Sequence, residues 1–207
     1  MSNFINGLFT GSLQPSTTVG GAIAIYENVW PDPDKTIQDV ERITRDYESG
    51  IFWRKAETIG DGAKQNLRTN QLLDITDNAL LSGNGVIQNV HNQFKMLLDA
   101  SVFPYKDHFK IDAHLEHEGY AMLKYSDSQY YGAHYDGGPE VPRLLSAICY
   151  LNDDYAGGEL EFVNFKLKIK PQAGMLLIFP SNFVYAHIAH PVTSGIKYAL
   201  VTWIRDY

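Results

Sequence analysis

The chain has 207 residues, 44% of them hydrophobic and 13% aromatic, with no low-complexity tract, which excludes a disordered chain and allows one substantial core. Seventeen Lys and Arg against 24 Asp and Glu leave a formal charge of −7, so non-specific attraction to nucleic-acid phosphates or anionic lipid is disfavoured and no nucleic-acid partner is expected. One cysteine, Cys149, excludes an intrachain disulfide; Met1 to Gln14 has no signal-peptide pattern, and no stretch approaches the ~18 apolar residues of a membrane span, so a cytoplasmic protein without a membrane segment is expected.

In chain order, residues 1–20 are rich in Gly, Ser, Thr and Asn without periodicity and read as an arm or irregular edge segment. Ala22 to Tyr26 reads as a short strand. Pro31-Asp32-Pro33-Asp34 is a helix-start signal, and Ile37, Val40, Ile43 and Tyr47 at helical spacing predict a helix over 35–49. The polar stretch from Glu57 to Asn70, with Gly60-Asp61-Gly62, predicts a loop able to cover a pocket. Neither this Gly-x-Gly nor Gly20-Gly21 has the full phosphate-loop pattern, so both are turns. From Asp77 to Ala100, the residues Leu80, Val86, Val90, Phe94, Leu97 and Leu98 predict a long supporting helix broken at Gly83-Asn84-Gly85.

After Glu118 the texture changes to short runs of Tyr, Val, Ile, Leu and Phe punctuated by Gly, Asp, Asn and Pro, which predict strands at 119–125, 131–136, 143–151, 159–164, 166–170, 174–179, 185–190 and 196–205. The expected fold is α+β, mainly β: a jelly-roll core over 119–207 with an arm, a strand and supporting helices over 1–118, in a single domain over 1–207.

Within this β half, His134-Tyr135-Asp136 sets an imidazole and a carboxylate on one side of a strand or its extension, because residues two apart share a face. Alone the triplet is equally a strand end before Gly137-Gly138-Pro139. About fifty residues on, a second strand can return His187 to that pair. Two histidines and one carboxylate on one face of an octahedral ion leave three open positions, the arrangement of non-haem Fe(II) oxygenases, whereas a structural zinc site would close with four ligands. His190, three residues after His187, falls on the opposite strand face, and His91, His108, His114 and His117 read as helix or loop residues.

Several ordered blocks then give the chain a named likeness: Tyr125, His134-x-Asp136, Tyr150-Leu151-Asn152, Gly157-Gly158-Glu159, Pro171-x-x-Gly174, Phe179-Pro180, His187, Lys197 and Trp203. Residues 119–207 resemble the 2-oxoglutarate/Fe(II)-dependent dioxygenase superfamily in its prolyl 4-hydroxylase-like branch; residues 20–118 match only as generic supporting helices. The resemblance implies a double-stranded β-helix in which His134, Asp136 and His187 hold Fe(II) and are catalytic. It further implies that Lys197 anchors the 2-oxoglutarate co-substrate and that Tyr125 and Tyr150 donate hydrogen bonds to it, with O2 as the second co-substrate and ascorbate as a candidate reductant. A lysine on the otherwise apolar run Ile196 to Ile204 independently asks for an anionic partner.

Leu160 stands where many prolyl hydroxylases carry threonine, which removes one hydroxyl contact and blurs the substrate assignment. Arg68-Thr69 resembles a segment that lies over the active site of prolyl hydroxylases, making Arg68 a substrate-pocket candidate against a solvated loop arginine, and Trp203 fits either the pocket floor or the core. The expected activity is hydroxylation of an unactivated C–H bond in a polypeptide, by analogy a prolyl residue. The alternatives are the same chemistry on a small molecule such as a free amino acid, or a non-catalytic jelly-roll binding module.

Overall fold

The computed structural model describes residues 4–5, 8–9, 11–57 and 67–207, so the predicted turn at Gly60-Asp61-Gly62 lies outside the described residues. The elements run β1 (Phe4–Ile5), β2 (Leu8–Phe9), β3 (Thr17–Val19), β4 (Ile23–Tyr26), α1 (Pro33–Arg45), β5 (Arg54–Lys55), β6 (Gln71–Asp74), α2 (Ile75–Leu81), α3 (Gly85–His108), β7 (Leu115–His117) and β8 (Ala121–Tyr125). The second half holds β9 (Tyr131–His134), β10 (Arg143–Tyr150), β11 (Ala156–Gly157), β12 (Leu160–Phe162), β13 (Leu167–Ile169), β14 (Leu176–Pro180), β15 (His187–Ala189), β16 (Val192–Ser194) and β17 (Lys197–Asp206).

A large sheet runs β3-β4-β14-β10-β17-β8-β6-β5, with β7 also on β17, and a smaller one runs β13-β12-β15-β9. All their pairings are antiparallel. Strand alternation decides what each face does. Ala147 and Cys149 of β10, Leu176 and Ile178 of β14 and Leu200 of β17 pack with Val90, Phe94, Leu97 and Leu98 of α3. The residues between them, Tyr150, Leu177, Phe179 and Ala199, turn the other way and pack with Leu160 and Phe162 of the small sheet. The fold is therefore the expected double-stranded β-helix, with helices on the outer face of the large sheet and the space between the sheets left for the site.

Several expectations need correction. Over residues 11–20 the edge-segment alternative holds and the arm does not: Thr17–Val19 pairs with β4 at the edge of the large sheet, and Leu13 is buried. Helix α1 starts at Pro33, where Asp32 accepts from the Lys35 N–H, and ends at Arg45; Tyr47 then sits in a 3₁₀ turn at 89% exposure and is no part of the core stripe. The break at Gly83 is present, with that residue in the left-handed region, but it separates two helices: Leu80 is exposed on the first, and the second continues past Ala100 to His108.

That continuation runs through Pro104, which has no N–H to give to the carbonyl four residues earlier. The Ala100 carbonyl instead accepts from the Leu13 N–H at 2.7 Å, so the N-terminal segment satisfies the group that the proline orphans. The strands β5, β6, β7, β11 and β16 were not foreseen; each is short, and β6 lies at the end of a run dominated by polar residues. Among the described residues no helix is long and apolar enough to cross a membrane.

Phe94 anchors the helix-to-sheet layer, fully buried and edge-on to Trp30 and Tyr120 at ring separations of 6.3 and 5.2 Å. Phe94→Ala is expected to cost about 3–5 kcal/mol of unfolding free energy in a urea titration; a loss below about 1 kcal/mol would show that this layer does not hold the fold.

Candidate active site

Antiparallel pairing of β9 with β15 sets His134 directly opposite His187, with ring centroids 4.3 Å apart. The Nδ1 of His134 lies 2.8 Å from the Gly132 carbonyl and that of His187 lies 3.0 Å from the Tyr185 carbonyl. A carbonyl only accepts, so in each ring Nδ1 carries the hydrogen and Nε2 keeps a free lone pair. Asp136 meets those lone pairs from just beyond the end of β9, with Oδ1 3.5 Å from His134 Nε2 and Oδ2 3.8 Å from His187 Nε2. One ligand atom from each of the three residues lies within 4.8 Å of the others.

Burial pushes the His187 pKa down to about 4, helped by His134 and opposed by Asp136, so the ring is neutral at neutral pH. Burial alone would raise the Asp136 carboxyl; the facing His187, the His134 ring and the Ser146 hydroxyl together outweigh it and hold the group well below the usual carboxylate range. Two imidazoles whose Nε2 atoms point at one carboxylate suit a divalent ion, and the cavity beside them leaves room for further ligands on one side.

That cavity, of about 50 Å³, is walled by the inward faces of the large sheet: Leu123 and Tyr125 of β8, Ile148 and Tyr150 of β10, and Lys197, Ala199 and Val201 of β17. Lys197 is 2% exposed; its Nζ donates to the Gly158 carbonyl at 2.6 Å and lies 5.4 and 5.0 Å from the Tyr125 and Tyr150 ring centroids. Among the described residues no carboxylate lies within ion-pair distance of it, and burial pushes its pKa down to about 7, against the pull of Glu159. Tyr150 Oη is buried without a hydrogen-bond partner, and burial raises both phenols, Tyr125 to about 12.

A buried cation and an orphaned phenol at the end of a cavity that begins at three ligand side chains match what a dicarboxylate chelating a metal would need. The residues therefore fit both Fe(II) and 2-oxoglutarate. Leu160 also lines the cavity, so no hydroxyl is supplied from that position.

Outside this cavity lies a groove of about 720 Å³ that shares Arg68, Tyr131, Asp136 and Trp203 with it. Arg68 is not a solvated loop residue: it is 7% exposed, donates to the Asn70 side chain at 2.8 Å and lies over the Tyr131 ring at 4.7 Å. Tyr131 stacks on His134 with centroids 3.5 Å apart. Trp203 is half-buried at the cavity–groove junction, and Arg143 covers its ring at 3.7 Å while bonding to Glu118 through Nε and a terminal nitrogen. His190 faces away from the triad, its Nε2 2.7 Å from Glu161, and the remaining histidines lie outside the cavity lining.

Sequence reasoning passed over Ser146, Tyr131 and Arg143. Ser146 could have been noticed as a polar residue on the face shared with Tyr150, whereas Tyr131 is three residues from His134 and reaches it only through a register irregularity that no periodicity announces.

The model of the 2OG-Fe(II) oxygenase superfamily matches residues 120–205. A protein of Acanthamoeba polyphaga mimivirus assigned as a prolyl 4-hydroxylase is 26% identical over 70% of this chain and 61% of its own length. A PKHD-type hydroxylase of Alteromonas mediterranea is 37% identical over 40% of this chain and 41% of its own. The chain thus spans about three fifths of one and two fifths of the other. Among solved structures, a prolyl hydroxylase from Trichoplax adhaerens, in complex with a hypoxia inducible factor peptide fragment, superposes with a TM-score of 0.71 at 19% identity, covering 90% of this chain and 84% of that one, which supports the fold. The stretch that matches the 2OG-Fe(II) oxygenase superfamily, residues 120–205, holds the His134, Asp136, His187 cluster, and the chain is similar to prolyl 4-hydroxylase-like proteins.

Proposed function

We propose that the chain is an Fe(II)- and 2-oxoglutarate-dependent dioxygenase that hydroxylates a C–H bond in an extended polypeptide segment, with a prolyl residue as the leading substrate. The observation that carries this reading is the continuity of two spaces: a small cavity running from the triad to Lys197, and a much larger groove that meets it at Asp136, Tyr131 and Trp203. A groove of that size admits a chain passing across the site, which a narrow mouth for a free amino acid would not.

Bound Fe(II) and 2-oxoglutarate supply oxidation of an unactivated C–H bond by O2, with succinate and carbon dioxide as co-products. Around them the chain's residues have separate tasks. Nε2 of His134, Nε2 of His187 and the Asp136 carboxylate hold the ion. The Lys197 ammonium meets the far carboxylate of the co-substrate, and the Tyr125 and Tyr150 hydroxyls donate to its oxygens. Leu123, Ile148, Leu160, Ala199 and Val201 keep water from the space between. Arg68 and Trp203 flank the route from groove to metal and hold the polypeptide. Ascorbate serves as the reductant that keeps iron ferrous.

The test is succinate formation with Fe(II), ascorbate and 2-oxoglutarate, with mass spectrometry of proline-bearing peptides for one added oxygen atom. His134→Ala should lower turnover about 100-fold or more by removing a metal ligand. Lys197→Ala should raise the KM for 2-oxoglutarate about 30-fold or more, since it strips the charge partner from a buried carboxylate. Equal turnover in all three proteins would defeat the reading, and turnover without an oxygenated prolyl peptide would remove the prolyl assignment alone.

A pH signature follows from Lys197. Its pKa of about 7 without co-substrate must rise when a carboxylate arrives, so above pH 7 binding takes up a proton. Calorimetry of 2-oxoglutarate binding at pH 8 in buffers of different ionisation enthalpy should show uptake approaching one proton and an affinity that falls from pH 7 to 9. Lys197→Arg, always charged, should show neither; proton release, or identical behaviour of the two proteins, would contradict the lysine's role.

A further inference from the structure

We infer that Ser181 and Ser146 form a directed pair of hydroxyls that orients the Asp136 carboxylate toward the metal. This rests on the metal-centre reading above and adds two positioning residues to it. Ser146 Oγ lies 2.6 Å from Asp136 Oδ2 and 2.8 Å from Ser181 Oγ, and both serines are 1% exposed. An ionised carboxylate only accepts, so Ser146 spends its single hydrogen on Asp136. The contact between the two serines must then be donated by Ser181. The hydrogens run one way, from Ser181 to Ser146 to Asp136.

Ser181 also holds the main chain of the residue it serves. Its carbonyl accepts from the N–H groups of Asp136 at 3.1 Å and Gly137 at 2.8 Å, and its own N–H donates to the Leu144 carbonyl at 2.9 Å. Gly137 makes that approach possible, because a Cβ there would run into the Arg143 carbonyl and crowd Ser181. Asp136 lies just past the end of β9, where the strand ladder no longer constrains it. Its backbone is tied to the segment after β14 and its side chain to β10, so the carboxylate is aimed by the large sheet while both imidazoles are aimed by the small one.

The pair is costly unless it has such a task. Two hydroxyls buried between β10 and the end of β14 displace apolar packing, and the carboxylate they reach is itself buried. With Ser146 donating to Oδ2, one lone pair of that oxygen is taken, while Oδ1, 3.5 Å from His134 Nε2, keeps both of its own for the ion. Removing the hydroxyl frees the carboxylate to rotate and leaves Oδ2 without its donor.

Binding of Mn(II) alone, followed by electron paramagnetic resonance on the full chain without co-substrate, tests the pair through isosteric variants. Ser146→Thr keeps the hydroxyl and is expected within about threefold of wild type, while Ser146→Val, equal in shape but without it, and Ser146→Ala bind about 10- to 100-fold more weakly. A purely structural role would treat Thr and Val alike, so equal affinities for those two, or Ala within about twofold of wild type, would overturn the inference. Ser181→Ala, which leaves Ser146 in place, is expected to weaken binding about 3- to 10-fold and carries the test if the Val and Ala proteins do not fold; unchanged affinity there overturns it equally. Wild-type protein that takes up no Mn(II) would instead sink the metal centre itself.

Discussion

The pairing of His134 with His187 across two short antiparallel strands is the constraint on which the site depends. Side chains alternate faces with each residue, so a slip of one position would carry an imidazole out of the space between the sheets and leave Asp136 with one partner. Strand β9 has four residues and β15 three, too few to hold a register alone. Strand β12 supplies the rest by pairing Phe162 with His187 on the other side. Rings then wall the imidazoles in: Phe162 and Phe179 stand 5.8 and 5.1 Å from His187, and Tyr131 lies flat on His134. With both Nδ1 atoms tied to carbonyls, the free lone pairs have one direction left.

Such a site would be poor design for stability alone. A carboxylate, two histidines and an ammonium are drawn into a cavity whose other walls are mostly Leu, Ile, Ala, Val and aromatic residues, and among the described residues neither Lys197 nor Tyr150 has a partner that matches what burial costs it. The charges are laid out in two groups, a metal-binding set at one end and an ammonium with phenols at the other. A doubly charged ion answers the first group and a dicarboxylate bridging to it answers the second. Strain of this kind at a cavity, and not across the core, is where function is stored.

The sequence was most legible where chemistry and strand period coincide. His134 and Asp136 two apart, His187 on a later strand and Lys197 among apolar neighbours were each visible because an alternating strand leaves few faces for a polar residue. The eight strands of the β half and the helix break at Gly83 were readable for the same reason, namely strong period and strong punctuation. What could not be read depends on contacts distant in sequence. The helix runs past Ala100 through Pro104 because Leu13 caps the orphaned carbonyl, and nothing near residue 104 announces a donor 91 positions upstream. Arg68 looked like a loop arginine because its burial is created by Tyr131 and Asn70. The strand period puts Ser146 on the face of Tyr150, but its contact with Asp136 exists only because folding places β10 beside the end of β9.

The most direct measurement is a crystal structure of the protein with Mn(II) and 2-oxoglutarate under anaerobic conditions. The account requires one ion bound by Nε2 of His134, Nε2 of His187 and a single Asp136 oxygen, with the keto acid chelating that ion and its far carboxylate on Lys197 Nζ. An ion held elsewhere, or a co-substrate whose far carboxylate leaves Lys197 bonded only to Gly158, would contradict it.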